Sequence, residues 1–149
     1  MSFNFEKYIG IPFVEYGRSF KGVDCYGLVW LAFKEELGIE LPDYDERVFG
    51  RDWKGASRGH FLENVNQCWE IVSGSVFHLF DCHIFHDDEG IDSHIGFHIG
   101  SSKFLHCLEN QSAMVGKLEV WKSRLVETVR ARDAESHIQR VYRLFQGKA

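Results

Sequence analysis

The chain has 149 residues, of which 44% are hydrophobic and 15% aromatic, enough apolar material for one packed core. Its charged fraction of 26% is typical of a globular domain, and its net charge of −5 offers no basic surface to nucleic acid or to an anionic membrane. We therefore predict a single domain over residues 1–149 that binds neither nucleic acid nor membrane.

No apolar run approaches the ~20 residues that span a bilayer. The first residues, Met1 to Lys7, lack the basic start, apolar middle and small-residue cleavage site of a signal peptide. The expectation is a protein that is cytoplasmic as synthesised and reaches any other place by assembly or lysis. Its four cysteines form no Cys-x-x-Cys pair, so free thiols are expected.

The first predicted element is a buried helix over Cys25–Leu37. A loop from Gly10 to Gly22 precedes it, and Asp24 is a good N-cap residue. Apolar residues then recur at helical spacing, and Gly38 stands where a C-terminal cap belongs.

A second helix is predicted over Arg58–Ile71, with Ser57 as its cap. Its apolar stripe is formed by Phe61, Leu62, Val65, Trp69 and Val72, with Cys68 at the edge.

Beyond this helix, short β-branched or aromatic segments between turn residues predict strands. They are Val76–Phe80, Cys82–Phe85, His94–Ile99, Phe104–Leu108 and Gln139–Phe145, with an exposed charged stretch over Lys122–Glu135 before the last. Helices followed by strands indicate an α+β domain with an antiparallel sheet.

Cys25 is the cysteine best placed for chemistry. The first turn of a helix supplies unpaired N–H groups and the positive end of the dipole, which favour the thiolate. The Cys25 backbone N–H could also donate to an oxyanion, and Gly27 would keep the helix start open to a substrate. The alternative is a small buried residue, the usual state of a cysteine. For Cys68, Cys82 and Cys107 we prefer that buried interpretation.

Eight histidines raise the question of a metal site. His94 and His98 have the i, i+4 spacing of helical zinc ligands, but the alternation of Ile95, Phe97 and Ile99 indicates a strand. Four residues along a strand separate two side chains by ~13 Å, too far to share one ion. No metal is expected, and His98 is interpreted as a polar surface or pocket histidine.

On a strand, His94 can instead meet His106. A three-residue turn at residues 100–102 would pair Ile99 with Lys103 and make His106 the diagonal neighbour of His94 on one face. One imidazole could then take the thiol proton while the other fixes its tautomer. A two-residue turn would place the two histidines on opposite faces.

Together these motifs resemble the NlpC family of papain-like cell-wall peptidases. The resemblance extends from Gly10 to His106 and is carried by Pro12-Phe13, Gly17-Arg18, Gly22–Val29, His94–Phe97 and Phe104–His106, with Ser73–Phe77 where the family turns into its first core strand. The segments Gly10–Arg18 and Glu36–Tyr44 are most similar to members encoded with phage and prophage tail genes.

The resemblance implies a papain-like α+β fold in which the N-terminal helix carrying Cys25 packs on an antiparallel sheet. It implies Cys25 as nucleophile, His94 as general base and His106 as the residue that orients His94. The implied reaction is hydrolysis of peptide-stem amides of peptidoglycan through a thioester, without a cofactor. Other tail proteins would be further partners.

The resemblance also implies that Asp24, Tyr26, Phe13 and Tyr16 shape the substrate site. Two of these positions depart from the family, because Phe13 stands where many members have Tyr and Tyr26 where many have Ser. Stem-peptide specificity therefore stays open. So do two other functions, a non-catalytic tail or structural subunit and an amidase or acyl transferase with another substrate.

Overall fold

The computed structural model describes residues 3–42, 69–90, 92–134 and 136–139. The strands are β1 (Arg18–Ser19), β2 (Gly22–Val23), β3 (Trp69–Ile71), β4 (Cys82–His86), β5 (Asp92–Gly100), β6 (Lys103–His106), β7 (Met114–Lys117) and β8 (Leu125–Ala131). The helices are α1 (Cys25–Ala32) and α2 (Leu118–Trp121), with short 3-10 turns at Glu6–Tyr8 and Lys122–Arg124.

Helix α1 begins and ends as its sequence predicts. The Asp24 side chain caps it by accepting a hydrogen bond from the Gly27 N–H. After Ala32 the helix continues for one π-helical turn, Phe33–Leu37, and Gly38 closes it in the left-handed conformation at φ 68°. Within the described ranges, no helix is long and apolar enough to cross a membrane.

Six strands form one antiparallel sheet in the order β3-β8-β4-β5-β6-β7. Helix α1 packs on the face of the sheet that carries Ile84, Ile95, Phe97 and Leu105, all of them buried. The fold is therefore α+β with the helix that carries Cys25 on an antiparallel sheet, which confirms the predicted class.

The predicted second helix is wrong in part. Trp69–Ile71, predicted as the end of the second helix, is strand β3, whose Trp69 pairs with Ala131 and is fully buried. The remainder of that helix, with Ser57, Phe61, Leu62, Val65 and Cys68, lies outside the described residues.

The predicted strand Val76–Phe80 is a loop. Val76 is 76% exposed, Phe80 has φ 72°, and the His78 N–H donates to the Asp81 carboxylate at 2.8 Å. These local bonds turn the chain into β4, so the segment forms no strand.

The charged stretch Lys122–Glu135 contains a strand inside the sheet. β8 lies between β3 and β4, and its Arg130 makes two 2.7 Å hydrogen bonds to the buried carboxylate of Asp81. Its charge is thus neutralised by a residue 49 positions away, which local sequence patterns do not show.

Of the predicted last strand, Gln139 lies in the helical residues 136–139, and residues 140–145 lie outside the described ranges.

Gly27 offers a test of this packing. In most helices Gly→Ala stabilises by ~1 kcal/mol. Here a Cβ on Gly27 would lie 2.0 Å from the backbone oxygen of Gly17, so we expect Gly27→Ala to lower the free energy of unfolding by about 1–3 kcal/mol. Urea denaturation measures this, with the exposed Glu35→Ala as a control in the π-helical turn. A Gly27→Ala variant as stable as the parent would contradict the close contact.

Candidate active site

Cys25 is the first residue of α1 and is 6% exposed. Asp24 before it is 3% exposed and organises the helix start. Its Oδ1 accepts from the Gly27 N–H at 2.7 Å and from Arg18 Nη1 at 2.9 Å, while its Oδ2 accepts from the Tyr16 N–H at 3.0 Å. One carboxylate therefore joins the lead-in loop to the helix.

This bonding gives Asp24 a structural role, and its expected contact with substrate stays a prediction. Both of its oxygens are occupied within the protein, so the carboxylate serves as helix cap and loop anchor. Burial raises the pKa of Asp24, and the Arg18 charge and the amides of Gly27 and Tyr16 oppose that rise.

The other three predicted substrate contacts differ in their exposure. Tyr26 is fully buried and donates its hydroxyl to the Pro42 carbonyl at 2.7 Å, so its side chain belongs to the core, and its expected role in the substrate site stays a prediction. Phe13 is half-buried and bridges to Val23. Tyr16 is 37% exposed at φ 61°. For Phe13 and Tyr16, substrate contact stays a prediction.

The β5–β6 connection differs from the predicted turn, yet it keeps the predicted register. The turn has two central residues, Ser101 (φ 53°) and Ser102 (φ 58°), and Gly100 pairs with Lys103. The register then shifts between His98 and Gly100, where Ile99 forms a bulge.

This bulge restores the alignment that the two-residue turn alone would lose. Gly96 pairs with His106, and His94 Nε2 lies 2.8 Å from His106 Nδ1. Gly96 also provides the space for this contact, since a Cβ there would lie 3.1 Å from the Cβ of His106. The two histidines therefore share one face and form a hydrogen-bonded pair.

The direction of one backbone amide places the thiol relative to this pair. The His98 N–H donates to the Asp81 carbonyl, and the His98 carbonyl accepts from the Phe80 N–H, so the backbone groups of His98 point towards the β4 side. Backbone groups of successive strand residues point to alternate sides. The N–H of Ile95, three residues earlier, therefore points to the β6 side.

The thiol of Cys25 interacts with this Ile95 N–H. Strand amides lie in the plane of the sheet, so the sulfur lies at the edge of β5, beyond the point where β6 ends with His106 opposite Gly96. Cys25 thus reaches the end of the sheet where His94, the neighbour of Ile95, carries its imidazole. The structure pairs His94 with His106 and places the thiol of Cys25 beside Ile95, the residue next to His94 on β5.

Burial governs the charges at this site. It raises the pKa of Cys25, with a further rise from the Asp24 charge, although the Ile95 and Tyr26 amides favour the thiolate. Burial and the neighbouring His106 lower the pKa of His94 to about 3, and burial lowers that of His106 to about 4. These directions favour a neutral thiol and two neutral imidazoles, and so oppose the effect expected of the helix start.

Trp121 covers the histidine pair, a role that the sequence analysis did not identify. Its ring centroid lies 5.0 Å from that of His106, 5.6 Å from His94 and 5.2 Å from Phe85. The only local signal is an apolar residue three positions after Leu118, a weak helical pattern beside a charged stretch.

The remaining histidine and cysteine candidates take structural positions. His98 is buried rather than at the surface, with Nδ1 3.1 Å from His83 Nε2, and His83 Nδ1 lies 2.8 Å from Thr128 Oγ1. Cys82 and Cys107 are buried, as expected, and Cys68 lies outside the described residues. In the part of the chain that the structure describes, no group of three or more His, Cys, Asp or Glu residues could hold a metal ion.

A helix-borne cysteine at the end of an antiparallel sheet with a histidine pair defines a papain-like α+β architecture. The sequence model of the NlpC/P60 family matches residues 10–130, and the chain belongs to this family. A solved NlpC/P60 family protein from Bacillus cereus superposes with a TM-score of 0.60 at 19% identity, over 83% of this chain and 36% of that one. The NlpC/p60 domain of the peptidoglycan hydrolase SagA gives 0.54 at 19% identity, over 83% and 90%.

Two curated relatives extend the comparison. A γ-DL-glutamyl hydrolase of Bacillus subtilis is 30% identical over 123 residues, which cover 80% of this chain and 26% of that protein. The murein DD-endopeptidase MepS/murein LD-carboxypeptidase of Escherichia coli is 26% identical over 118 residues, or 76% of this chain and 52% of that protein. The chain thus spans about a quarter and about half of the length of these relatives.

The buried histidines predict how stability changes with pH. Burial lowers the pKa of His83 and His94 to about 3, of His106 to about 4, and also lowers that of His98. An unfolded chain binds protons at these residues below pH ~6.5. The free energy of unfolding should therefore fall from pH 7 to pH 5, by up to about 1.4 kcal/mol per pH unit for each histidine.

Urea titrations at several pH values measure this slope, and His94→Gln should make it shallower. A free energy of unfolding that stays constant from pH 7 to pH 5 would show that the four imidazoles are not kept neutral by the fold.

The bonds of Asp24 predict a loss of stability when it is replaced. Asp24→Ala removes the acceptor for the Gly27 and Tyr16 amides and leaves Arg18 without this partner. We expect the free energy of unfolding to fall by about 2 kcal/mol or more, and by less in Asp24→Asn, which keeps an acceptor oxygen. Thermal or urea denaturation provides the measurement. Unchanged stability with a raised KM would instead assign the carboxylate to substrate.

Proposed function

We propose that this chain is a cysteine peptidase that hydrolyses amide bonds in the peptide stems of peptidoglycan. Cys25 is the nucleophile, His94 the general base and His106 the residue that orients His94. The observation that carries this proposal is the 2.8 Å bond between His94 Nε2 and His106 Nδ1, at the end of the sheet where the Cys25 thiol interacts with the Ile95 amide.

The hydrogen bond between His94 and His106 determines which ring nitrogen of His94 can act as the base. Because Nε2 of His94 faces His106 Nδ1, His94 must use Nδ1 to accept a proton from the thiol. In that state His94 Nε2 carries the ring hydrogen and donates it to His106, whose own hydrogen is on Nε2. His106 thereby fixes both the ring orientation and the tautomer of His94.

The first half of the proposed reaction starts from a neutral thiol at Cys25 and a neutral imidazole at His94. As the Cys25 sulfur attacks the amide carbon, its proton passes to His94, and the carbonyl oxygen becomes an oxyanion. The Cys25 backbone N–H, in the first turn of α1, is free of intrahelical bonding and suits that oxyanion. The carbon–nitrogen bond then breaks, and His94 returns the proton to the leaving amine, which leaves a thioester on Cys25.

In the second half, His94 takes a proton from water as the water oxygen attacks the thioester. The carbon–sulfur bond breaks, the acid product leaves, and Cys25 regains its proton. Neutral imidazole is needed at the start of both halves, and burial of the His94–His106 pair maintains it.

The relatives support a substrate built of glutamyl or murein amides. One is named for γ-DL-glutamyl hydrolysis and the other for murein endopeptidase and carboxypeptidase activity. Because these names denote different bonds, the proposal extends to the substrate class and leaves the scissile bond open. Phe13 and Tyr16, near the helix start, are the residues we assign to distinguishing between such substrates.

The second candidate function is a non-catalytic subunit with the same fold. Its support is the burial of Cys25, which is 6% exposed with a raised pKa. A third, an amidase or acyl transferase with the same nucleophile, draws support from the buried Tyr26 where many members of the family have Ser. We also propose a role in a phage or prophage tail, which the similarity of residues 10–18 and 36–44 to tail-encoded members supports.

Purified peptidoglycan and a synthetic γ-D-glutamyl stem peptide test the function. We expect release of soluble stem fragments, measured by mass spectrometry, that Cys25→Ala lowers by at least about 10³-fold and His94→Ala by about 10²–10⁴-fold. Cys82→Ala, the same change at a buried thiol away from the site, is the control and should retain activity.

Each competing function has its own outcome. Cleavage by Cys25→Ala at the rate of the parent would contradict the assignment of Cys25 as the nucleophile. No cleavage, together with no alkylation of Cys25 in the folded protein at neutral pH, supports the non-catalytic subunit. Turnover of other acyl amides alone supports the third function.

A further inference from the structure

The segment between β7 and β8 crosses the face of the sheet that carries the histidine pair. It consists of α2 and the 3-10 turn Lys122–Arg124, and it links the edge strand β7 to β8, which lies between β3 and β4. Its neighbour Val120 is 72% exposed, whereas Trp121 turns towards the sheet. The segment thus presents one large side chain to the rings of the candidate site.

Three aromatic side chains surround the histidine pair. Trp121 contacts both imidazoles, Phe85 lies 6.1 Å from the His94 ring, and Phe104 lies 4.7 Å from the His106 ring. Trp121 also contacts Phe85 and Phe104 edge-on. We name Phe85, Phe104 and Trp121 the aromatic box.

Trp121 is the outer wall of this box. Phe85 and Phe104 are fully buried within the sheet, while Trp121 is half-buried at the surface. His94 is nevertheless only 8% exposed and His106 1%. Among the described residues, the indole contacts both imidazoles and lies on the solvent side of the pair on this face.

The segment that carries Trp121 is tied to the sheet at both ends. The Leu118 N–H donates to the Ser102 carbonyl at 2.9 Å, at the β5–β6 turn. At the other end, His86 Nε2 lies 3.3 Å from the Ser123 carbonyl, and Arg124 forms an ion pair with Asp88 beyond β4. These ties hold the indole in one place over the pair.

We propose that Trp121 is a positioning residue, which fixes the orientation of the His94–His106 pair and keeps water from it. The proposal rests on the proposed function for its effect on rate. Its structural part, the exclusion of water from the two imidazoles, holds whether or not the chain is an enzyme.

The physical consequence concerns protonation of the pair. His106 is the described titratable group whose charge acts on His94, and burial is the larger cause of its lowered pKa. Helix α2 adds Glu119 in its first turn, and β4 faces the pair with the apolar Phe85. Without the indole, water reaches the rings, and the pKa of His94 should move from about 3 towards the ordinary value of 6.5.

Three variants separate positioning from general stability. Trp121→Leu opens the box, Trp121→Phe keeps an aromatic wall, and the exposed Val120→Ala is the matched control one residue earlier. Imidazole nitrogen and carbon shifts, followed by NMR from pH 3 to pH 8, report the titration of His94 and His106 in the folded protein without any substrate. Rates on peptidoglycan fragments then give kcat and KM.

We expect Trp121→Leu to raise the midpoint of His94 titration by about one pH unit or more, and to lower kcat about tenfold or more with a smaller change in KM. Trp121→Phe should keep the His94 midpoint and kcat close to those of the parent. Val120→Ala should change neither the midpoint nor kcat. A folded Trp121→Leu protein whose His94 midpoint and kcat both match the parent would overturn the proposal. If the parent protein is inactive, the proposed function fails alone, and the NMR titration still decides whether Trp121 shields the pair.

Discussion

The bulge at Ile99 is the constraint on which the candidate site depends. A two-residue β-turn joins β5 to β6, and on its own it would bring His94 and His106 to opposite faces. The unpaired residue, Ile99, shifts the register of the two strands by one position, so that Gly96 pairs with His106. In the same register, β6 ends at His106, opposite Gly96. The Ile95 amide therefore lies beyond the end of β6, where it interacts with the Cys25 thiol.

Asp24 imposes the second constraint, at the other half of the site. Its carboxylate holds the Tyr16 amide, the Arg18 side chain and the Gly27 amide together. Gly27 has no room for a side chain because the Gly17 oxygen lies against it. The position of Cys25 is therefore set from the lead-in loop as well as from the helix. The carboxylate next to Cys25 therefore has a structural role, as helix cap and as anchor of the lead-in loop.

The parts of the molecule that follow from local patterns were predictable from the sequence. Helix α1, its Asp24 cap and the period-two alternation around Ile95 and Phe97 depend on neighbours along the chain. β8 was missed because its Arg130 looks exposed until Asp81, 49 residues earlier, neutralises it. Trp121 was missed for a similar reason, since a four-residue helix has little periodicity and its meaning comes from the sheet face below it. Long-range partners, rather than local propensity, determine these elements.

The burial of the site changes the chemistry expected at a helix start. The dipole and the Ile95 and Tyr26 amides favour a thiolate, but loss of solvation outweighs them, and the Asp24 charge opposes the anion further. The imidazoles respond to burial in the opposite direction and remain neutral bases. A thiol and a base that are both neutral at rest can exchange a proton only when the sulfur gains a partner that stabilises the resulting charges. Burial of this site therefore favours the neutral form of the Cys25 thiol and of the two imidazoles, against the effect of the helix start.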